Sequence, residues 1–202
     1  MDINFNEMLV DLKSETSGGG TQGLYQDIVE DKILCTGIRP IMDRVNLIEF
    51  PKDLVLDIGC NVGSFCHYYN YKGIKEVCGI DKNEKFIKWA KRITPEGDFY
   101  CLDLDVENDI LGDKKFDTVL FFAVWDYFKN KGKIINFLKV HTGRVLYFEG
   151  HADGIKRMKN DVFENGICYK SWESILENEL KINYKFFGMT NSERRPFYKC
   201  WW

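Results

Sequence analysis

The stretch of sequence that decides the fold is Leu54-Val55-Leu56-Asp57-Ile58-Gly59-Cys60-Asn61-Val62-Gly63. Its first five residues form a short apolar run, which is typical of a buried parallel strand. The two glycines permit a tight turn and a close backbone approach where a helix begins, and Asn61 can adopt a left-handed conformation. Because Asn61 and Ser64 replace glycines, the G-x-G-x-x-G spacing of a dinucleotide fold is absent, as is a P-loop. The turn therefore predicts a ligand site without a phosphate cradle.

Strands and helices alternate from this stretch onward. Further strands are predicted over residues 76–80, 99–102, 116–123 and 144–148. Helices are predicted over residues 63–71 and 82–93, around 134–138, and near 155–164 and 171–179. Two closing strands, at 180–187 and 197–202, have only a turn between them. This order predicts an α/β fold: a Rossmann-like, doubly wound, seven-stranded sheet with five parallel strands and a C-terminal antiparallel hairpin.

The first fifty residues differ in character from the rest. Phe5, Met8, Leu9 and Leu12 recur at helical spacing, which predicts a short amphipathic helix. Glycine-rich residues 17–23 predict a flexible loop. Apolar residues within 24–48 indicate one or two further helices. We therefore expect an N-terminal helical lid over residues 1–50 and the main domain over 51–202.

Composition excludes several classes of protein. The chain has 202 residues, 45% of them hydrophobic, and a net charge of −3. Its longest apolar run, Val119 to Trp125, is far shorter than the about 20 residues of a membrane span. A dedicated DNA-coating protein would show a basic excess. Seven cysteines without C-x-x-C spacing, and no signal peptide, favour a reduced cytoplasmic chain without structural zinc. No metal site is predicted, and the chain could be a monomer or a homodimer.

An acidic residue follows the second strand. Asp81 stands 24 residues after Asp57, at the end of Glu76-Val77-Cys78-Gly79-Ile80. A carboxylate in that place can accept hydrogen bonds from both hydroxyls of a ribose. The alternative is that Asp81 caps the helix that follows it.

These motifs together resemble a known family. Residues 54–63 resemble motif I of the class I S-adenosylmethionine-dependent methyltransferases, and Gly79-Ile80-Asp81 is similar to their acidic residue after strand two. Cys101-Leu102-Asp103 is similar to the acid after strand three, and residues 116–125 resemble motif IV. The resemblance spans residues 53–202 and departs at Asn61, where many members have glycine. It implies S-adenosylmethionine as cofactor and S-adenosylhomocysteine as product.

The resemblance also implies roles for single residues. Gly59 and the neighbouring backbone would approach the methionine part of the cofactor, and Asp57 would hold its amino group. Asp81 would bind the ribose, and Asp103 with the backbone of Leu104 would meet the adenine. A carboxylate-rich pocket suits a positive sulfonium. The complete set implied for cofactor binding is Asp57, Gly59, Cys60, Asn61, Gly63, Asp81, Lys82, Asp103, Leu104, Ala123, Trp125 and Arg39.

Within that set, Ala123 and Trp125 would lie near the sulfonium, and the N-terminal segment would cover the cofactor. Arg39 could pair with the methionine carboxylate, or it could form a surface salt bridge. Tyr25 is a second candidate for the lid, or a packing residue. Both follow from where the family places its N-terminal helices.

Methyl transfer to oxygen or nitrogen can need a general base. His151 is the best candidate, because imidazole titrates near neutral pH, and Glu149 and Asp126 are the others. Each could instead be solvated or structural, and His67 and His141 are expected to be structural. Residues 123–126, Ala-Val-Trp-Asp, lack the Asn/Asp-Pro-Pro-Tyr/Phe and the Pro-Cys of other branches. An O- or N-methyltransferase is therefore expected.

The acceptor is less specified than the cofactor. Basic residues cluster at Lys156, Arg157 and Lys159, and again at Arg194, Arg195 and Lys199. With Trp125 they could receive an anionic or nucleotide substrate, or they could form a solvated face. A small-molecule acceptor is favoured. An RNA or tRNA methyltransferase, a non-catalytic binding subunit and an NAD-dependent dehydrogenase remain alternatives. The ending Cys200-Trp201-Trp202 predicts an aromatic edge strand or an interface.

Overall fold

A computed structural model describes residues 3–17, 21–22, 24–107, 109–152, 171–191 and 193–202. The helix expected near 155–164, the basic cluster at Lys156, Arg157 and Lys159, and the glycines at 18–20 lie outside these residues. The chain divides into two compact units, Met1–Leu102 and Asp103–Trp202. The expected separation of an N-terminal lid, residues 1–50, from a main domain, residues 51–202, stays a prediction.

The N-terminal segment contains less helix than its apolar spacing suggested. The amphipathic helix is confirmed as α1, Phe5–Asp11, followed by a 3-10 turn, Leu12–Ser14. Two short hairpins come next, formed by the strands β1 to β4. Their bounds are Thr16–Ser17 and Thr21–Gln22 for the first, and Ile28–Val29 and Ile33–Cys35 for the second.

The prediction of helices over residues 24–48 is wrong except for α2, Met42–Val45. Backbone pairing within the segment replaces helical bonds: the N–H of Arg39 donates to the carbonyl of Tyr25 at 3.0 Å. A Cβ on Gly37 would lie 2.2 Å from the carbonyl carbon of Gln26. Apolar spacing alone could not reveal this close strand-like contact, because it depends on residues far apart in the chain.

The first unit also contains three strands of the main sheet and two helices. They are β5 Leu54–Ile58, α3 Ser64–Tyr71, β6 Glu76–Asp81, α4 Glu84–Ile93 and β7 Asp98–Cys101. β5 pairs with β6, and β6 with β7, in parallel. α4 begins at Glu84 because the side chain of Asn83 accepts hydrogen bonds from the N–H groups of Lys85 and Phe86. Asp81 is therefore not the helix cap.

The second unit holds the remaining four strands of the main sheet. Its elements are β8 Phe116–Phe122, α5 Lys131–His141, β9 Thr142–Glu149, a short helix Trp172–Ile175, a π-helical segment Leu176–Leu180, β10 Asn183–Met189 and β11 Pro196–Trp201. β8 and β9 are parallel, whereas β11 is antiparallel to both β9 and β10.

The sheet has the strand order β10-β11-β9-β8-β5-β6-β7. Five parallel strands and a C-terminal antiparallel hairpin confirm the predicted fold class. At the end of the sheet that carries the C-terminal hairpin, the edge strand is β10 and not β11. The prediction that the C-terminal aromatic residues form an edge strand is therefore wrong. β11 lies between two partners because its N–H and C=O groups pair on both sides. Within the described residues, no helix is long and apolar enough to cross a membrane.

Candidate functional site

The turn after β5 is hydrogen-bonded to the end of β6. The N–H groups of Gly59 and Cys60 both donate to the carbonyl oxygen of Ile80, at 2.8 and 3.0 Å. Gly59 has φ of 77° and Asn61 has φ of 53°, so the left-handed conformation expected for Asn61 is confirmed. The turn is therefore held at the carboxyl ends of two adjacent parallel strands, where open α/β sheets bind ligands.

Asp81 ties this turn to the start of α4. Its Oδ2 accepts a hydrogen bond from the N–H of Asn61 at 2.9 Å, and its Oδ1 accepts one from the N–H of Asn83 at 2.9 Å. Burial raises the pKa of the Asp81 carboxyl despite these two bonds. Each carboxylate oxygen retains a second lone pair, so Asp81 can still accept hydrogen bonds from a ligand hydroxyl.

Asp57 is a second acid on the same turn. The residue is only 3% exposed, and burial, followed by the nearby charge of Asp81, raises the pKa of its carboxyl to about 8. Among the described residues, no hydrogen bond to the Asp57 carboxyl is found that would lower its pKa. A buried acid in this state is stabilised by a cationic ligand group, because opposite charge favours ionisation.

The other residues of this loop have packing roles. A Cβ on Gly63 would lie 2.9 Å from Cε1 of Phe99, and the residue has φ of 77°. The ring of Phe99 therefore fills the space that a side chain at residue 63 would need, and the approach of the Gly63 backbone to a ligand stays a prediction. Cys60 is buried, and burial raises the pKa of its thiol well above the usual range. The side chain of Lys82 is exposed.

The two lid candidates contact each other. The guanidinium carbon of Arg39 lies 4.2 Å from the centre of the Tyr25 ring, a cation–π contact. Arg39 is 7% exposed and therefore does not lie on the surface. The adjacent carbonyl of Gln26 accepts a hydrogen bond from Oγ of Ser64, the first residue of α3, at 3.4 Å. Arg39 and Tyr25 are thus anchored beside the helix that follows the ligand-binding turn.

In the second unit, Asp103 opens a turn. Asp103 is exposed, its Oδ1 accepts from the N–H of Asp105 at 3.0 Å, and Leu104 is buried. The carboxylate of Asp105 accepts hydrogen bonds from the N–H groups of Lys129 and Asn130, at distances of 2.8 to 3.0 Å. Sequence reasoning missed Asp105, although its two-residue spacing from Asp103 was a usable signal. The hydrogen bonds of Asp105 fix the turn, and the Asp103 side chain stays exposed.

The end of β8 differs from expectation at Trp125. Ala123 has φ of 53°, and its N–H donates to the carbonyl of Glu149 at 2.8 Å. Trp125 has no exposed surface, because its ring packs edge-on against Phe121 and Phe148. The prediction that the Trp125 side chain helps to receive a substrate is therefore wrong, because aromatic packing inside the unit covers that side chain. The position of Trp125 near the sulfonium stays a prediction.

Asp126 and His151, two separate candidates for the general base, lie close together. Oδ2 of Asp126 lies 2.9 Å from Nδ1 of His151, and the side chains are 12% and 5% exposed. The ring N–H is not aligned with the carboxylate, so the contact is close in distance without a well-directed hydrogen bond. The indole N–H of Trp172 donates to the His151 carbonyl at 3.2 Å. The pair forms a carboxylate–imidazole dyad.

Glu149 takes part in a buried ion pair. Its side chain is 0% exposed, and its Oε1 lies 3.4 Å from Nη1 of Arg195, which also contacts Glu193. The prediction of Glu149 as a base is corrected, because a sealed and paired carboxylate cannot reach an external nucleophile. In the basic cluster at Arg194, Arg195 and Lys199, Arg195 is withdrawn from the surface at 5% exposed, whereas Arg194 is exposed.

The two remaining histidines are structural, as predicted. His67 lies with Nε2 at 3.4 Å from Oε1 of Glu30 and Nδ1 at 3.3 Å from Oγ1 of Thr94, and burial lowers its pKa. His141, at the end of α5, has Nδ1 at 2.8 Å from the carbonyl of Lys114. Neither adds to the candidate site.

Comparison with known proteins agrees with this geometry. Residues 56–140 match a family described as "Methyltransferase domain". A segment of 79 residues is 39% identical to protein 235L of Invertebrate iridescent virus 6, whose name proposes a methyltransferase. That alignment covers 38% of this chain and 28% of the viral protein, so the chain corresponds to less than a third of that relative.

Solved methyltransferase structures share the fold. The plantazolicin methyltransferase BpumL, in complex with S-adenosylhomocysteine, has 16% identity and a TM-score of 0.57, over 73% of this chain and 75% of its own. The bifunctional kinase-methyltransferase WbdD has 19% identity and a TM-score of 0.66, over 95% and 45%. A SAM-dependent methyltransferase from Aquifex aeolicus has 15% identity and a TM-score of 0.59, over 77% and 86%.

Proposed function

Because residues 56–140 match a methyltransferase domain and the fold is that of solved methyltransferases, we propose that this chain belongs to the class I S-adenosylmethionine-dependent methyltransferase superfamily and transfers a methyl group from S-adenosylmethionine to an oxygen or nitrogen atom of a small-molecule acceptor. The observation that carries the proposal is the acid-lined turn, where Asp57 is buried and Asp81 joins the ends of β5 and β6. Two carboxyl groups, with the nearest lysine exposed, suit a ligand that is cationic and has no phosphate.

The residues of this chain fit such a ligand at each of its parts. Asp57 is suited to hold the amino group, because an ammonium would compensate a carboxylate that is costly to bury. Asp81 is suited to accept from the ribose hydroxyls. The exposed Asp103 and the backbone of Leu104 are suited to the adenine. Arg39, held by Tyr25, is suited to the carboxylate. When bound, the cofactor supplies an activated methyl group on a sulfonium.

His151 is proposed to take the proton of the attacking group. An imidazole can accept a proton near neutral pH, and Asp126 at 2.9 Å is placed to stabilise the imidazolium that forms. Catalytic hydrogen bonds often become well directed only when substrate binds, so the short distance between the two side chains is compatible with this role.

A small acceptor is favoured over RNA by two side chains that the structure withdraws from the surface. Arg195 is paired inside the second unit, and Trp125 has no exposed face on which a base could stack. The alternatives of a binding subunit and of an NAD-dependent dehydrogenase lack a comparable observation in their favour.

The proposal is tested by incubating the protein with methyl-labelled S-adenosylmethionine and separate low-mass and RNA fractions of a cell extract. We expect label in the low-mass fraction, and less of it with His151→Gln. Label confined to RNA would overturn the acceptor class. Cofactor binding without transfer to either fraction would overturn the activity.

A further inference from the structure

An acidic ladder docks the N-terminal strap, residues 5–15, on α4. Oε1 of Glu7 lies 3.2 Å from Nη1 of Arg92, and Oδ2 of Asp11 accepts from the indole N–H of Trp89 at 2.7 Å. Oε1 of Glu15 lies 2.8 Å from Nζ of Lys85. All three acids therefore contact residues of α4, although only Glu7 and Asp11 lie in the helix α1 and Glu15 follows the 3-10 turn in an extended conformation.

The apolar face of the strap is buried in the same docking. Met8 and Leu12 are 0% exposed and belong to one core cluster with Phe86, Trp89 and Ile93 of α4. The strap is therefore part of the first unit's packing and carries defined side-chain partners along its length. Its last residue, Glu15, is the one nearest to the candidate cofactor site.

Asn83 connects the strap to that site. Its side-chain oxygen caps α4, accepting from the N–H of Lys85 at 2.9 Å, which directs its amide nitrogen to Oε2 of Glu15 at 2.7 Å. Its backbone N–H donates to Oδ1 of Asp81. The side-chain oxygen, the side-chain nitrogen and the backbone N–H of Asn83 therefore each have a partner. Exchanging the side-chain oxygen and nitrogen would break both the helix cap and the contact with Glu15.

We propose that Glu15 and Asn83 are positioning residues of the cofactor site, through which docking of the strap fixes the carboxylate of Asp81 for the ribose. The inference rests on the proposed function. Glu15 orients the side-chain amide of Asn83. The same amide caps α4 and so fixes the backbone of residue 83, whose N–H binds the carboxylate of Asp81. Docking of the strap and binding of the cofactor are therefore coupled, and each strengthens the other.

The test compares two acids of the same ladder. S-adenosylhomocysteine is titrated calorimetrically into Glu15→Ala and into Glu7→Ala. Glu7 pairs with Arg92, away from Asn83, and provides the matched control. We expect about 5- to 20-fold weaker binding for Glu15→Ala, within the usual range of coupling, and less than about twofold for Glu7→Ala. Both variants should lose similar, small amounts of thermal stability.

A polarity swap separates positioning from general stability. Asn83→Asp keeps a good helix cap but loses the donor and sets a carboxylate against Glu15, so it should weaken binding as much as Glu15→Ala. Adding Glu15→Gln restores a donor–acceptor pair at unchanged net charge, and we expect affinity to return to within about threefold of wild type.

Hydrogen exchange supplies a readout that does not depend on activity. In the wild type, S-adenosylhomocysteine should slow exchange of amides in residues 8–15, and Glu15→Ala should remove that effect. Equal affinity of the wild type, Glu15→Ala and Asn83→Asp would overturn the inference. Absence of binding to the wild type would instead overturn the proposed function, so the two failures are distinguishable.

Discussion

Nδ1 of His151 lies 2.9 Å from Oδ2 of Asp126, although the two residues are 25 positions apart and follow different strands. Parallel strands bring their carboxyl ends to one edge, so residues after β8 and β9 meet there. This relationship turns two separate sequence candidates into one dyad, with the imidazole as proton acceptor and the carboxylate as its support.

Removing the imidazole should slow methyl transfer without weakening cofactor binding. We expect His151→Gln to lower the turnover number by about 10²- to 10³-fold, the usual contribution of a general base. Asp126→Asn should lower it less. Steady-state rates of the wild type and the two variants would check this, and an unchanged turnover number in His151→Gln would contradict it.

The raised pKa of Asp57 makes stability depend on pH in a defined direction. Its folded pKa of about 8 lies above the ordinary value of 3.8, so between these values the folded state binds more protons than the unfolded state. The stability associated with the neutral carboxyl is complete below the unfolded pKa and is lost as the pH rises through about 8. Asp57→Asn should therefore be more stable than wild type at pH 9, with a smaller difference at pH 5, in urea unfolding.

Cofactor binding should release protons from Asp57. An ammonium brought near the carboxyl would favour its ionised form, so a fraction of a proton should leave the protein at pH 7. Calorimetric titration of S-adenosylhomocysteine in two buffers of different ionisation enthalpy measures this release. Asp57→Asn should show weaker binding and almost no release. Equal release in both proteins would mean that another group titrates.

The ring of Phe99 fixes the spacing between β6 and the ligand-binding turn. A Cβ on Gly79 would lie 2.6 Å from Cδ1 of Phe99 and 2.8 Å from Sγ of Cys60. We expect Gly79→Ala to destabilise the fold by about 1–3 kcal/mol through overpacking. Gly73→Ala is the control, because it has φ of 96° but no atom within 4 Å, and its strain should cost about 1 kcal/mol. Urea unfolding measures both, and a smaller cost at Gly79 would contradict the packing role.

The Glu149–Arg195 pair should be needed for folding and not for chemistry. Arg195→Met leaves a carboxylate inside the second unit without this cation, and such changes cost about 3–5 kcal/mol. Asp31→Asn, which breaks an exposed pair with Lys72, should cost less than about 1 kcal/mol. Denaturant unfolding compares them. A stable Arg195→Met with a lowered turnover number would instead place the pair in the catalytic machinery.

The sheet could be predicted from sequence because its strands are buried on both faces and end in distinctive turns. β5 is a run of apolar residues followed by Gly59, and β8 is apolar throughout. Those patterns are local, and so were the positions of Asp57 and Asp81. The starts of helices were less visible, since Asn83 and not Asp81 caps α4.

What the sequence could not show depends on contacts between distant residues. The segment from Leu24 to Ile41 folds back on itself through backbone pairing. The spacing of its apolar residues is nevertheless typical of a helix, which is why the sequence alone predicted helices there. The burial of Trp125, Arg195 and Glu149 likewise depends on neighbours far along the chain. Side-chain type and position suggested ligand contacts at all three, because sequence does not reveal which face of an element is covered.

Calorimetric titration with S-adenosylhomocysteine, in the wild type and in Asp81→Ala and with NAD as control ligand, tests whether the turn after β5 binds the cofactor. We expect micromolar binding to the wild type, binding weaker by roughly tenfold or more in Asp81→Ala because the ribose loses its acceptor, and no binding of NAD. Equal affinity in the two proteins, or binding of NAD in place of S-adenosylhomocysteine, would contradict this expectation.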